Sequence, residues 1–203
     1  KHANSGEPHL YSSKPTLLPT ALAGEYFLIK KLTGWSLAEQ PFQVVRTMLV
    51  LTNVPAVVVI LVLLSKIVEI LGVSDWGRLM VMAMASFGTF LTTFAVVINN
   101  HLIAAMCVMV ACYAVVQVWV VGRREKRWVV MAGLFASLAM AMDLPCGLLL
   151  AVLGIGLLFT LPRATLLAGL PVVLVVVSLS VGTNYLAHRT LLPPYAFRDA
   201  GQD

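Results

Sequence analysis

Two groups of residues in this sequence have types and spacings suited to chemistry. The first is Glu7, His9, Tyr11 and Lys14, crowded into the polar, proline-punctuated stretch GEPHLYSSKPTLLPT at 6–20. The second is dispersed: Asn99-Asn100-His101, Asp143, His188-Arg189 and Arg198 all fall where long apolar runs stop. A lysine ammonium on a loop beside a membrane can meet a lipid phosphate. An imidazole or carboxylate can take or return a proton, and an amide or guanidinium can hydrogen-bond a sugar or a phosphate. A plainer role competes with each. Lys14 is also a lysine that snorkels to anionic lipid. His9 and Tyr11 flank it as possible substrate contacts, but Tyr is common at membrane interfaces for its ring alone. Asn100 beside an exposed His101 is also a helix cap. Asp143 is either a turn residue or a group that binds an acceptor or balances a nearby cation, and Arg189 is either a phosphate partner or a solvated loop charge.

The elements that must position these groups are apolar helices. Of 203 residues 60% are hydrophobic and 11% charged, and the mean hydropathy is +0.92, which no soluble surface permits. Six runs are candidate crossings: 43–71, 77–99, 101–121, 128–142, 146–161 and 165–187. The expected fold is an all-α, polytopic transmembrane helix bundle with about six membrane helices. Pro55 predicts a kink in the first run. The fourth and fifth runs read as a hairpin turning at Asp143-Leu144-Pro145, since one helix over both would far exceed the membrane and would bury Asp143 at its centre. Residues 17–34 place Leu18, Leu22, Ile29 and Leu32 along one side, which predicts an interfacial amphipathic helix ended by Gly34, with Glu25 interrupting the stripe. The organisation is then a loop at 1–16, this juxtamembrane helix at 17–34, a bundle at 35–187 and a second loop at 188–203.

The net charge of +5 does not point to nucleic acid. Its densest cluster, RREKR at 123–127, lies between two apolar runs, as in a short cytoplasmic loop. Placing that loop inside puts both ends of the chain, and every polar group named above, outside. Cys107, Cys112 and Cys146 lie within apolar runs and read as packing residues. The methionines read as helix packing, and no zinc, copper, phosphate-loop or Ser-His-Asp pattern occurs.

The stretch EPHLYSSKPTLLPTALAGEYFLIKKLTG, followed by a long apolar helix, resembles the first extracytoplasmic loop of the GT-C superfamily of polyprenyl-phosphate-sugar-dependent glycosyltransferases, above all the protein O-mannosyltransferase and aminoarabinose transferase group. The Lys-Pro element of those enzymes reads Ser13-Lys14-Pro15-Thr16 here. The similarity extends loosely through GTFLTTFAVVINNHLIAA (88–105) and AMAMDLPCGLLLAV (139–152). Where relatives often carry an acidic residue at the start of the fourth helix this chain has Asn100-His101, and where many carry Lys-Gly-Pro it has Asp143-Leu144-Pro145. The resemblance implies transfer of a sugar from a polyprenyl-phosphate carrier to an acceptor at the outer face, in a bacterial inner membrane. It implies Lys14 as the group that meets the phosphate and a general base upstream of Lys1, so that this stretch alone would be inactive. Expected partners are membrane lipids and the lipid-linked sugar; a divalent metal is left open. The competing reading is a transporter or scaffold, but a transporter should carry ionisable or broken-helix features near the bilayer midplane.

Overall fold

The computed structural model describes residues 15–72 and 74–191, and among them it is helical with no strand. The helices are α1 (Leu17–Thr33), α2 (Pro41–Ile70), α3 (Asp75–Phe87), α4 (Leu91–Ala95), α5 (Asn100–Trp119), α6 (Lys126–Met142), α7 (Cys146–Thr160), α8 (Pro162–Ala164) and α9 (Leu170–His188), with a π-helical turn at Thr165–Gly169. Among the described residues three helices are long and apolar enough to cross a membrane: Pro41–Ile70, Asn100–Trp119 and the continuous Pro162–His188. That makes the chain an all-helical membrane protein. α7 is a shorter apolar helix.

α5 is the hub. More than half of its apolar window is buried, 56%, against 11% for Pro162–His188. Ala111, Ala114, Val115 and Val118 on α5 pack with Trp128, Val129, Ala132 and Ala136 on α6, and Leu153 and Leu157 of α7 close that core. A second core joins α5 to α2 through Ala56, Ile60, Leu102 and Ile103, and takes in Leu18 of α1 and Met142 of α6. The small residues on α5 and α6 let the backbones approach, which is how apolar helices gain contact when lipid is as apolar as the partner.

α6 and α7 form the expected hairpin. α6 ends at Met142, the Asp143 carbonyl accepts the Cys146 N–H at 2.9 Å, and Gly147 lies against Met140 across the turn. The π turn after α8 has a local cause. Pro171 has no N–H for the Leu167 carbonyl, and the ladder slips to an i→i+5 bond from Leu170 N–H to the Thr165 carbonyl. The turn seats Gly169 against α6, where a Cβ on Gly133 would come 3.2 Å from the Gly169 carbonyl oxygen. Gly133→Val should therefore force the backbones apart and lower stability by about 1–3 kcal/mol, read as a fall in the thermal unfolding midpoint in detergent.

Two expectations change, the second only in part. The run 77–99 is not one helix: it breaks at Gly88–Phe90 and unwinds again after Ala95, leaving α3 and α4 with no buried residue. α2 is helical on both sides of Pro55, where the kink is expected. α1 does end at Gly34, whose φ of +76° suits a residue without a Cβ, and its packed side is the expected one in part, since Leu18, Leu22 and Ile29 pack. Leu18 and Ile29 are buried while Leu32 is 83% exposed, and Glu25 sits on the packed side. α1 runs antiparallel to the first half of α2, with Leu18 near Ala56, Glu25 on Thr52, and Ile29 against Val44 and Met48.

Candidate functional site

The polar residues collect at the end where α5 begins and α6 stops. Asn99 is in extended conformation, and its Oδ1 accepts the Leu102 N–H at 3.0 Å, capping α5. The cap is thus Asn99, and Asn100 does something else. Asn100 is buried, and its amide nitrogen donates to the Met142 carbonyl at 2.9 Å, satisfying a C-terminal carbonyl of α6 and tying the two helix ends together.

That tie brings His101 to Asp143. His101 Nδ1 and Asp143 Oδ2 are 2.9 Å apart, with the two side chains 42% and 28% exposed. An ionised carboxylate only accepts, so Nδ1 is the donor of this bond, and in the neutral form of the imidazole the lone pair then sits on Nε2. Nε2 has no hydrogen-bond partner among the described residues. The Phe94 ring, 5.4 Å from the imidazole centroid, covers one side of it. An imidazole oriented through one nitrogen by a carboxylate, with the other open, is the arrangement of a general base.

Phe94 lies in α4, and the unwound stretch that follows it is held by amides. An unwound segment leaves carbonyls without helical donors, and in an apolar setting each must be met. Asn53, 2% exposed in the middle of α2, donates to the carbonyls of Ala95 at 2.9 Å and Val97 at 3.0 Å, with Phe94 at 3.5 Å. Asn99 Nδ2 donates to the Phe94 and Val97 carbonyls, each at 2.9 Å. One helical position before Asn53, Thr52 donates its hydroxyl to Glu25 Oε2 at 2.7 Å, while Glu25 Oε1 is buried without a partner among the described residues. Neither Asn53 nor Glu25 was singled out by sequence as a site residue. The available signal was a lone amide in LTNVP, inside an apolar run.

The same end holds a cavity of about 160 Å³ between α6, α9 and the start of α1, lined by Pro15, Thr16, Met140, Leu144, Ser180 and Asn184 among others. Thr16 Oγ1 donates to Thr183 Oγ1 at 3.1 Å, pinning the start of α1 to α9. Ala141 and Leu144, on either side of Asp143, also line the cavity, though His101 and Asp143 do not. Arg189 stands apart: it is the left-handed cap of α9, φ 56°, its N–H donates to the Tyr185 carbonyl at 2.8 Å, and its guanidinium lies 6.0 Å from the Tyr185 ring centroid. His9, Tyr11, Lys14 and Arg198 lie outside the described residues.

The three cysteines are free thiols. Among the described residues no three His, Cys, Asp or Glu side chains gather as metal ligands. Comparison of the chain with protein-family models, with curated proteins and with solved structures finds no match.

Proposed function

We propose that the chain is part of an integral-membrane glycosyltransferase of the GT-C type, moving a sugar from a polyprenyl-phosphate carrier to an acceptor at the outer face of a bacterial inner membrane. The observation that supports it most directly is the His101–Asp143 pair, 2.9 Å apart beside the cavity that Pro15 and Thr16 line. The open Nε2 of His101 offers a general base within the described chain. Asp143 supports the imidazolium that forms when His101 takes the acceptor hydroxyl proton. The acceptor oxygen bonds to the sugar's anomeric carbon as the bond from that carbon to the phosphate oxygen breaks, and the carrier leaves as polyprenyl phosphate.

Lys14 directly precedes Pro15, and its ammonium is the group assigned to the phosphate as charge grows there. Asn100 serves by holding the end of α5 to the end of α6. In this reading α3 with α4, α6 and α7 complete six crossings, α1 rests at the outer interface, and the 123–127 loop is cytoplasmic.

The test is release of polyprenyl phosphate from a labelled lipid-linked sugar by purified protein in membranes. Lys14→Ala should abolish release while leaving membrane insertion intact, a loss of at least about 100-fold for a group that stabilises developing charge. Full activity of that variant would remove Lys14 from the mechanism. Absence of any carrier turnover by the intact protein would move the assignment to a non-enzymatic scaffold.

A further inference from the structure

At the far end of the helices from His101, α5 and α7 stop side by side. Trp119 Nε1 donates to Thr160 Oγ1 at 3.3 Å, and the indole lies so close to Gly156 that any Cβ there would overlap it. The chain then turns at Gly122, φ 79°, into Arg123-Arg124-Glu125-Lys126-Arg127. Between the two helix ends is an open cavity of about 500 Å³, lined by Val118, Trp119, Gly122, Arg124, Thr160 and Leu161 with Gly156.

The cations of this loop are not equivalent. The guanidinium groups of Arg123 and Arg127 lie over the Trp128 ring, 5.4 and 4.9 Å from its centroid, and Arg127 is 3.4 Å from Glu125 Oε1. Glu125 Oε2 accepts the Trp128 indole N–H at 2.7 Å. The Glu125 carboxyl is held below its ordinary range, first by its own backbone N–H, then by the Trp128 indole, Arg127 and Arg123, so it is occupied as an anion. Arg124 is in no ion pair among the described residues. It faces a cavity with no acid on its walls.

The helix ends do not compete for that role. Their negative poles point this way, but four of their carbonyls are already engaged. Val116 O accepts the N–H groups of Val120 and Val121, Gln117 O that of Arg123, and the Gly156 and Leu157 carbonyls accept the Thr160 hydroxyl. Arg124 therefore sets the sign of the site. Its surroundings are amphiphilic: a cation at the mouth, and Val118, Leu161 and an indole edge behind it. α5 is long and apolar enough to cross a membrane, so its end lies at the headgroup layer.

We propose that this cavity binds the phosphate of an anionic membrane phospholipid, with Arg124 on the phosphate and Val118, Trp119 and Leu161 against the first carbons of its chains. A basic pocket between membrane helices at the polar boundary is a recognised form of lipid headgroup site. A free phosphate would use Arg124 but leave the apolar walls idle. The proposal is independent of any transferase activity.

The test titrates purified protein in detergent micelles with phosphatidylglycerol, phosphatidylcholine or inorganic phosphate, and counts retained ligand by native mass spectrometry. Phosphatidylglycerol should bind at least about tenfold more tightly than phosphatidylcholine, and Arg124→Gln should weaken it about tenfold, as loss of a charge-assisted hydrogen bond does. Lys126→Gln makes the same charge change in the same loop away from the cavity, and should leave binding nearly unchanged. Equal losses in the two variants would overturn the site in favour of a diffuse positive cluster. Inorganic phosphate binding as tightly as phosphatidylglycerol would overturn the lipid as its occupant.

Discussion

His101→Gln should lower carrier turnover by about 10²–10⁴-fold, the usual worth of a positioned general base, with little change in thermal stability. Glutamine cannot take a proton. The side chain is 42% exposed and its one polar bond is to Asp143, so its removal orphans no deeply buried group. Asp143→Asn should cost about 10²-fold or more, because an amide can donate to Nδ1 and so favour the tautomer in which Nε2 carries the proton. The hairpin turn survives that change, since its bond to the Cys146 N–H comes from the Asp143 backbone carbonyl. Asp143→Glu, which keeps the carboxylate at a longer reach, should recover part of the loss. A merely structural pair would give the reverse pattern, with turnover intact and stability lowered. Unchanged turnover in both His101→Gln and Asp143→Asn would exclude the pair as the base.

Asn53→Leu should be the most damaging single change to the fold. It is nearly isosteric, yet it leaves the Ala95 carbonyl without its donor and strips one of two amides from Val97 and Phe94. An unmet buried carbonyl costs about 1–3 kcal/mol, so the whole change should cost about 2–4 kcal/mol. That corresponds to a fall of about 5–15 °C in the unfolding midpoint for a chain of this size. Asn99→Ala should cost less, about 1–2 kcal/mol, because Asn53 still holds Val97 while the cap of α5 is lost. A midpoint for Asn53→Leu within a degree of the parent protein would mean that the loop before α5 is not held by this amide. Since Phe94 covers His101, Asn53→Leu should also reduce turnover, coupling the two predictions.

How far the sequence could foresee this differs from element to element. The helical, apolar character was plain because periodicity and composition act locally. The turn at Asp143-Leu144-Pro145 was legible for the same reason, since a proline and a turn-forming aspartate announce themselves within three residues. The gathering of Asn100, His101 and Asp143 at one end followed from where the apolar runs stop. Their specific bonds did not, because His101 and Asp143 are 42 residues apart and only the packing of α5 on α6 sets their distance. The break in 77–99 was hidden by composition: α3 and α4 are apolar on either side of Gly88, and hydropathy averages across the gap. What makes the break tolerable lies 41 to 44 residues upstream in Asn53. Glu25 looked like a flaw in an amphipathic stripe, and only the antiparallel pairing of α1 with α2 shows that Thr52 meets it.

α2 serves two cores in succession, and this makes its length a matter of phase. Its buried apolar residues Val44, Met48, Ala56, Ile60 and Val68 are spaced by multiples of four. Four residues advance a helix by about 400°, so the buried stripe precesses by about 40° with each step and winds roughly 160° around the rod between Val44 and Ile60. α1 is met along the first flank, from Val44 to Ala56, and α5 along the second, from Ala56 to Ile60. Deleting a single residue between Met48 and Ala56 would rotate one flank about 100° against the other and leave composition and hydropathy almost untouched. The helix would still cross the membrane, but it could no longer hold both neighbours at once.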